Sequence, residues 1–351
     1  MEGTPFGVLM YLSGGLLGAS FYLPFKKVKG WAWESYWLIY CITALVLVPW
    51  VLAVIFSPNV FSVLRSAESD RLLKCYLFGA MWGVGGLTWG LGIRYLGLGL
   101  GLAIACGSCA AFGTLVPPIA DGNFGELLQT SSGIATLIGV AISLAGIIVI
   151  GGAGMSKERE LTEDQKKATV AEFSFKKGIV LAIFSGVMSA GMELGLRRGD
   201  GIKSLALTTK PETPEFWLGL PVLVVILLGG FTVNLLWCLF LTLKNKSAGD
   251  YKKSGAPLVL NYILSGLAGL IWYSQMLLYT AGDTNIGDYK FSGWSLIMSS
   301  QIIFSTLWGI ALLEWKGSSG RTKKLLVAGL VLLVVSLVVI GYGNYLKPAA
   351  H

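Results

Sequence analysis

The sequence predicts an all-α membrane protein, and two observations lead to this class: the composition and the recurring apolar runs. Of the 351 residues, 54% are of the types AVILMFWYC, only 13% are charged, and the mean hydropathy is +0.70. A soluble domain has about 25% charged residues. Apolar runs of about 20 residues, the length that crosses a bilayer, recur along the whole chain. We therefore expect a protein that crosses the membrane several times.

Ten of these apolar runs are predicted to form transmembrane helices. Each run ends at Lys or Arg residues, at Pro or at a polar break, and the weakest break lies at Arg94, Tyr95 and Gly97. The ten predicted helices cover residues 5–24, 34–56, 72–93, 96–116, 133–153, 178–197, 216–243, 258–281, 292–314 and 325–345.

The distribution of positive charge predicts the orientation of the chain. One set of alternate loops, which includes the segment 154–177, carries more than twice as many Lys and Arg residues as the other set. Cytoplasmic loops carry such an excess. The first set is therefore predicted to face the cytoplasm, which places both termini outside it.

The charged segment 154–177 divides the predicted helices into two groups of five. We interpret it as a solvated cytoplasmic linker between a first repeat, 1–153, and a second repeat, 178–351. Because five is odd, the second repeat enters the membrane in the opposite direction. Such inverted repeats are typical of alternating-access transporters, whose substrate site lies near the midplane. At a single constant offset in the numbering, Gly79 aligns with Gly269, Trp82 with Trp272, and Trp89 with Tyr279.

The composition also argues against several kinds of chemistry. The single His is the last residue, His351, so imidazole catalysis and His-ligated metal sites lack their usual side chain. Cys106 and Cys109 read as C-x-x-C inside an apolar run, where helix packing explains them better than chemistry. The net charge of +8 is attributed to cytoplasmic loops rather than to nucleic-acid binding. We expect no enzyme activity, metal, cofactor or nucleic-acid partner.

Aromatic side chains are the first candidates for a substrate site. Trp82 and Trp89 lie seven residues apart and share a helix face, as do Trp272 and Tyr279. The flat ring of Trp suits the C–H side of a sugar, and its N–H seeks a partner when it is buried. The alternative for each ring is packing against lipid or a neighbouring helix. Other Trp residues, including Trp37, are assigned to the membrane interfaces.

Amides and carboxylates inside apolar runs are the second group of candidates. Asn234 and Gln301 suit sugar hydroxyl groups, with hydrogen bonds between helices as the alternative. Two interpretations are open for Glu193: an ion pair with Arg197 one turn later, or a proton carrier that lines the cavity. Glu34 and Glu314 lie at the cytoplasmic ends of their predicted helices, where we expect them to be solvated.

Six blocks of sequence carry a resemblance to a known family. The most specific block is FYLPFKKVKGWAWE at 21–34, where the first predicted helix ends and the second begins. The other blocks are FGAMWGVGG (78–86), IRYLGLGLGLAIACG (93–107), FSGVMSAGM (184–192), IWYSQMLLY (271–279) and LLEWKG (312–317). In this order and spacing they resemble the bacterial L-rhamnose–proton symporter family, within the drug/metabolite transporter superfamily.

The resemblance implies a multi-pass secondary transporter of the bacterial inner membrane. It would import L-rhamnose or a related deoxy sugar with a proton by alternating access, and its partners would be the sugar, the proton and the lipid bilayer. The alternative is a transporter of the same superfamily with another metabolite or coupling ion. Nothing in the sequence predicts an oligomeric state.

The resemblance also implies roles for individual residues. Lys26, Lys27 and Glu34 match the first block, and they are expected to be structural or gating positions at the cytoplasmic mouth. Substrate-binding residues are expected from the blocks on the third and eighth predicted helices, namely Trp82, Trp272, Tyr273 and Gln275.

Overall fold

The computed structural model describes residues 3–120, 124–160, 174–285 and 290–346, and these residues form α-helices with no β-strand among them. The predicted all-α class is therefore confirmed. Within these ranges, six helical segments are long and apolar enough to cross a membrane. They are Trp33–Phe56, Ser131–Lys157, Phe175–Thr208, Glu215–Asn245, Leu258–Asp283 and Gly320–Val339. The count of ten crossing helices stays a prediction.

The α-helices are numbered here in chain order. They are α1 Gly3–Ser20, α2 Trp33–Cys41, α3 Val48–Phe56, α4 Val60–Ser66, α5 Ser69–Leu96, α6 Leu98–Ala120, α7 Phe124–Leu127, α8 Ser131–Glu160, α9 Phe175–Ser189, α10 Gly191–Arg198, α11 Asp200–Thr208, α12 Leu220–Asn245, α13 Leu258–Asn285, α14 Lys290–Ala311 and α15 Gly320–Tyr345. Short 3-10 helices occur at Pro24–Lys27, Glu215–Trp217 and Ser247–Lys252.

The helical segment Phe175–Thr208, which contains the sixth predicted helix (178–197), is divided into three α-helices. Here α9 ends at Ser189, α10 begins at Gly191, and α11 follows after Gly199. At Gly191 a Cβ atom would lie 2.7 Å from the carbonyl oxygen of Phe78. Only glycine allows this approach to α5, and glycine also lowers the helix propensity of the chain at this point.

The second predicted helix contains a π-helical segment, Ile42–Leu47, between α2 and α3. Pro49 follows it in the first turn of α3. Proline has no backbone N–H, so the carbonyl four residues earlier loses its usual helical partner. A local π-helical register is one way in which a helix absorbs such a defect.

The fifth predicted helix continues into the predicted linker, because α8 ends at Glu160. The Glu160 carboxylate accepts the backbone N–H and the hydroxyl of Ser319, both at 2.7 Å, and the hydroxyl of Thr322 at 2.7 Å. These donors stabilise the charged form and lower the pKa of Glu160 to about 2. The N-terminal end of α15 is thus tied to α8, and residues 161–173 of the predicted linker lie outside the described residues.

The chain divides into two compact units, and each contains segments from both predicted repeats. The first unit comprises Met1–Ala19, Gly85–Ala190 and Asn285–His351. Inside it, α8 and α15 approach closely at Gly329, where a Cβ atom would lie 3.1 Å from the carbonyl oxygen of Gly146.

The second unit comprises Ser20–Val84 and Gly191–Thr284. Inside it, α5 packs on α12 through glycine: a Cβ atom at Gly83 would lie 2.8 Å from the Cα atom of Gly230. Small residues at such positions let helix backbones approach. The division into repeats at 1–153 and 178–351 stays a prediction.

Candidate functional site

The second unit contains an aromatic cluster formed by Trp37, Tyr40, Trp82 and Trp272. The rings of Trp82 on α5 and Trp272 on α13 are stacked, with centroids 5.1 Å apart and an interplanar angle of 29°. Tyr40 on α2 meets Trp272 edge-on at 6.4 Å, and Trp37 lies 4.8 Å from Tyr40. The two tryptophans related by the sequence offset are therefore in direct contact.

The rings of the aromatic cluster differ in exposure. Trp272 is 7% exposed, and Trp37 and Tyr40 are also buried, whereas Trp82 is only half-buried. At Gly230 a Cβ atom would lie 2.5 Å from the Trp82 ring, so this glycine lets the ring lie against α12. Trp82 is thus the ring of the cluster with surface left for a further stacking partner.

Asn234 connects three helices beside the aromatic cluster. Its Oδ1 accepts a hydrogen bond from Trp37 Nε1 at 2.8 Å. Its Nδ2 donates to the carbonyl oxygens of Gly230 at 2.8 Å and Gly83 at 3.4 Å. This pattern matches the inter-helix alternative that the sequence leaves open for Asn234.

Tyr273 and Gln275 are both buried on α13, with exposed fractions of 1% and 2%. The Tyr273 hydroxyl has no hydrogen-bond partner among the described residues. A buried polar group without a partner costs about 1–3 kcal/mol. Such a group is therefore a position where a ligand or water can supply the missing hydrogen bond.

Trp89 and Gln301 belong to the first unit rather than the second. Trp89 is half-buried, and its Nε1 is buried without a partner among the described residues. The Gln301 side chain donates from Nε2 to the carbonyl oxygen of Gly18 on α1 at 3.0 Å, a hydrogen bond between helices. The structure thus divides the predicted binding residues between the two units.

Glu193 lies at the beginning of α10 and is 4% exposed. Its Oε1 accepts from Arg197 Nε at 2.8 Å, so the ion pair, one of the two interpretations left open by the sequence, is present. Its Oε2 accepts from the hydroxyl of Tyr279 on α13, also at 2.8 Å. Tyr279, a predicted substrate residue, therefore contacts the predicted proton carrier.

Further charges lie near this carboxylate in the second unit. Lys203 on α11 contacts Asp283 on α13 at 3.4 Å and Asp200 at 3.0 Å. The Lys203 and Asp283 side chains are only 18% and 16% exposed. Charged side chains are rare inside membrane-spanning segments and mark functional sites there. We name Glu193, Arg197, Lys203 and Asp283 the charged cluster.

The residues of the first sequence block divide into exposed and buried positions. Lys26 and Lys27 are both exposed on the 3-10 helix, whereas Glu34 is only 2% exposed. Glu34 Oε1 accepts from Asn245 Nδ2 at 3.0 Å and from Ser247 Oγ at 2.6 Å. The expectation that Glu34 is solvated is therefore wrong, because donors at the end of α12 and on the 3-10 helix after it cover the carboxylate.

Two other positions differ from the sequence predictions. Glu314 is 4% exposed rather than solvated. Trp37, which the sequence analysis assigns to a membrane interface, is 3% exposed and belongs to the aromatic cluster. Tyr40, which contacts it, is absent from the predicted site. The signal in the sequence is the spacing of Trp33, Trp37 and Tyr40, which places three aromatic residues on one face of α2.

Among the described residues, no group of three or more His, Cys, Asp or Glu side chains is arranged to hold a metal ion.

Comparison with known proteins identifies relatives along almost the whole chain. Residues 2–345 match the family described as L-rhamnose-proton symport protein. An L-rhamnose-proton symporter of Cronobacter sakazakii is 36% identical over 341 residues, which cover 96% of this chain and 97% of the relative. L-rhamnose-proton symporters of Citrobacter koseri and Escherichia coli are each 35% identical with the same coverage.

Proposed function

The chain belongs to the L-rhamnose-proton symporter family, and on this premise we propose that it imports L-rhamnose, or a related deoxy sugar, together with a proton by alternating access. The single observation that carries the proposal is the match over residues 2–345, supported by relatives that align with 96% of the chain. The chain is thus a multi-pass membrane protein of a transporter family, not of an enzyme family. We place it in the bacterial inner membrane with both termini outside the cytoplasm.

The proposed architecture is ten transmembrane helices in two inverted repeats. Support comes from glycines that are equivalent at the constant offset between the repeats. A Cβ atom at Gly79 on α5 would overlap the carbonyl oxygen of Ile226 on α12. At Gly269 on α13, a Cβ atom would lie 2.9 Å from the carbonyl oxygen of Tyr40 on α2.

These two contacts are equivalent under the proposed repeat. The third predicted helix contacts the seventh, and the eighth contacts the second, as a pseudo-twofold relation between the halves requires. The stacking of Trp82 on Trp272 fits the same relation, because a residue near a twofold axis contacts its own equivalent.

We propose that the sugar binds beside the aromatic cluster. Trp82 offers partly exposed ring surface to the C–H side of the sugar. The Tyr273 hydroxyl, which has no partner among the described residues, and the Gln275 amide would bind sugar hydroxyl groups. Trp89, whose indole N–H also has no partner in the described part of the chain, and Gln301 stay predicted binding residues of the first unit.

We propose that Glu193 carries the cotransported proton. Its carboxylate is buried, and it is partnered on both oxygens in the present state. Protonation removes the charge that holds Arg197 and so changes the stability of this conformation. Lys26, Lys27 and Glu34 are proposed to be structural or gating positions at the cytoplasmic mouth.

The proposal is tested by uptake of radiolabelled L-rhamnose into proteoliposomes. An inward proton gradient should drive accumulation above equilibrium, and a protonophore should abolish it. Glu193→Gln should lose accumulation but retain sugar exchange, because exchange needs no net proton movement. Equal accumulation by Glu193→Gln and the unaltered protein would assign Glu193 to packing. Accumulation of a different metabolite alone would favour another transporter of the superfamily.

A further inference from the structure

The hydrogen bond between Tyr279 and Glu193 joins two predicted site residues that are far apart in sequence. The Tyr279 hydroxyl donates to Oε2 at 2.8 Å, and the tyrosine is 3% exposed. On the other side of the carboxylate, Oε1 is held by the Arg197 guanidinium at 2.8 Å. Both oxygens of Glu193 are therefore occupied, but by partners of different chemistry.

This difference determines where a proton can be accepted. A guanidinium group has donors only, so a proton on Oε1 would face a donor and displace Arg197. A tyrosine hydroxyl has one donor and can also accept. A proton on Oε2 creates a carboxyl O–H. This O–H can donate a hydrogen bond to the Tyr279 oxygen once the Tyr279 O–H has rotated away from Glu193.

We propose that Tyr279 links protonation of Glu193 to sugar binding by reversing this hydrogen bond. When Glu193 is ionised, its Oε2 accepts the hydrogen bond from the Tyr279 O–H, which is then not available to the sugar. When a proton from the outer aqueous phase binds Oε2, the new O–H donates to the Tyr279 oxygen, and the Tyr279 O–H becomes the donor to a sugar oxygen. Release of the proton to the cytoplasm restores the first arrangement and withdraws that donor from the sugar. The inference rests on the proposed function, since it assigns a role within the same transport cycle.

The position of Tyr279 suits this role. Trp272 and Tyr279 lie seven residues apart on α13 and therefore share a face of that helix. The residue that contacts the proton carrier is thus on the helix face that also contributes to the aromatic cluster. Seven residues correspond to two turns and a rise of about 10 Å along the helix, so Tyr279 lies two turns beyond Trp272 on this face.

Titratable and charged groups from several elements surround Glu193 and the helices next to it. They come from α10 itself, from α11, from α13 and from α5, whereas α12 presents apolar Ile226 to Gly195. The titratable and charged groups are Arg197, Asp200, Lys203, Tyr279, Asp283, Arg71 and Cys75.

The test compares Tyr279→Phe with a matched control, Tyr76→Phe. Tyr76 is on neighbouring α5, and its hydroxyl bonds to Thr232 Oγ1 at 2.9 Å, so this variant also loses one tyrosine hydroxyl bond. The protonated carboxyl of Glu193 is followed by infrared difference spectroscopy of the reconstituted protein as the pH is varied. Glu193→Gln identifies the band, because it removes the carboxyl group.

In Tyr279→Phe, the pH at which half of the Glu193 carboxyl is protonated should shift to a higher value. Loss of the donor destabilises the ionised carboxylate, so the midpoint should rise by about one pH unit, which corresponds to about 1.4 kcal/mol. Below the midpoint, Tyr279→Phe should also bind L-rhamnose about tenfold more weakly, because the donor is absent. Tyr76→Phe should match the unaltered protein in both measurements.

The result that overturns the inference is a Tyr279→Phe protein whose midpoint and L-rhamnose affinity equal those of Tyr76→Phe. A raised midpoint with unchanged L-rhamnose affinity also overturns it, because Tyr279 would then act on the proton alone. If the unaltered protein binds no L-rhamnose, the proposed function fails, and an unshifted infrared midpoint still refutes the inference separately.

Discussion

Replacing Gly79 by alanine should destabilise the protein, whereas the same replacement at Gly86, two turns further along α5, should stabilise it. In either case alanine restricts the unfolded chain and favours the helix by about 0.5–1 kcal/mol. At Gly86 a Cβ atom would meet nothing within 4 Å, so this gain should be retained. At Gly79 the Cβ atom would overlap the backbone carbonyl of Ile226, which cannot rotate away.

The cost at Gly79 follows from the packing of α5 on α12. Overpacking of a close-packed interior costs about 1–3 kcal/mol. After the helix gain is subtracted, the net loss is about 1 kcal/mol at the middle of both ranges and about 2.5 kcal/mol at most. The assay is thermal unfolding of the purified variants in detergent, followed by size-exclusion chromatography. The expected order of melting temperature, from highest to lowest, is Gly86→Ala, unaltered protein, Gly79→Ala. A Gly79→Ala protein as stable as Gly86→Ala would refute the packing of α5 on α12.

Three further predictions concern an affinity, a buried carboxylate and a pH dependence. Trp82→Leu should weaken L-rhamnose binding in calorimetry by about 0.5–1.5 kcal/mol, the value of an aromatic contact, because it removes the half-buried ring of the cluster. Exposed Trp237→Leu is the control, and equal losses would remove Trp82 from the site. Glu34→Ala should lower the melting temperature more than Glu34→Gln, because the alanine variant leaves the buried Ser247 hydroxyl without an acceptor, at a cost of about 1–3 kcal/mol. Equal decreases in melting temperature for the two variants would contradict the hydrogen bond from Ser247 to Glu34. The folded-state pKa of Glu160 is depressed, so its stabilising contribution is complete above pH 4.5 and is lost as the pH falls towards about 2. The difference in melting temperature between the unaltered protein and Glu160→Gln should narrow over that window, and a constant difference would refute the hydrogen bonds to Ser319.

The features that could be predicted from the sequence depend on local or periodic signals. Apolar runs predict helices because about 20 apolar residues cross a bilayer, and α12, α13 and α15 lie close to their predicted bounds. The Glu193–Arg197 pair follows from a spacing of four residues on a helix. The resemblance in the six sequence blocks indicates a family that the comparison confirms.

The features that could not be predicted depend on contacts between distant segments. The break before Gly191 arises from the approach of α10 to α5, which no local pattern encodes. Glu34 is covered by donors from a distant part of the chain, Asn245 and Ser247. Hydropathy at the end of a helix predicts solvation, and only the tertiary structure shows that polar partners replace water there.

Contacts between distant segments of the candidate site could likewise not be predicted from the sequence. The constant offset between the repeats relates Trp82 to Trp272, but it does not show that their rings are stacked. Tyr279 is predicted from its spacing to Trp272, whereas its contact with Glu193 joins residues 86 positions apart. Helical periodicity shows which residues share a face, and it does not show which face of another helix they meet.

The most direct test of the account is the pH of a lightly buffered suspension of cells or vesicles that contain this protein. Proton-coupled import predicts that added L-rhamnose makes the external medium alkaline, that sugars unrelated to L-rhamnose do not, and that Glu193→Gln abolishes the shift. Uptake of L-rhamnose without any change in external pH would contradict the central claim that this chain moves a proton with its sugar.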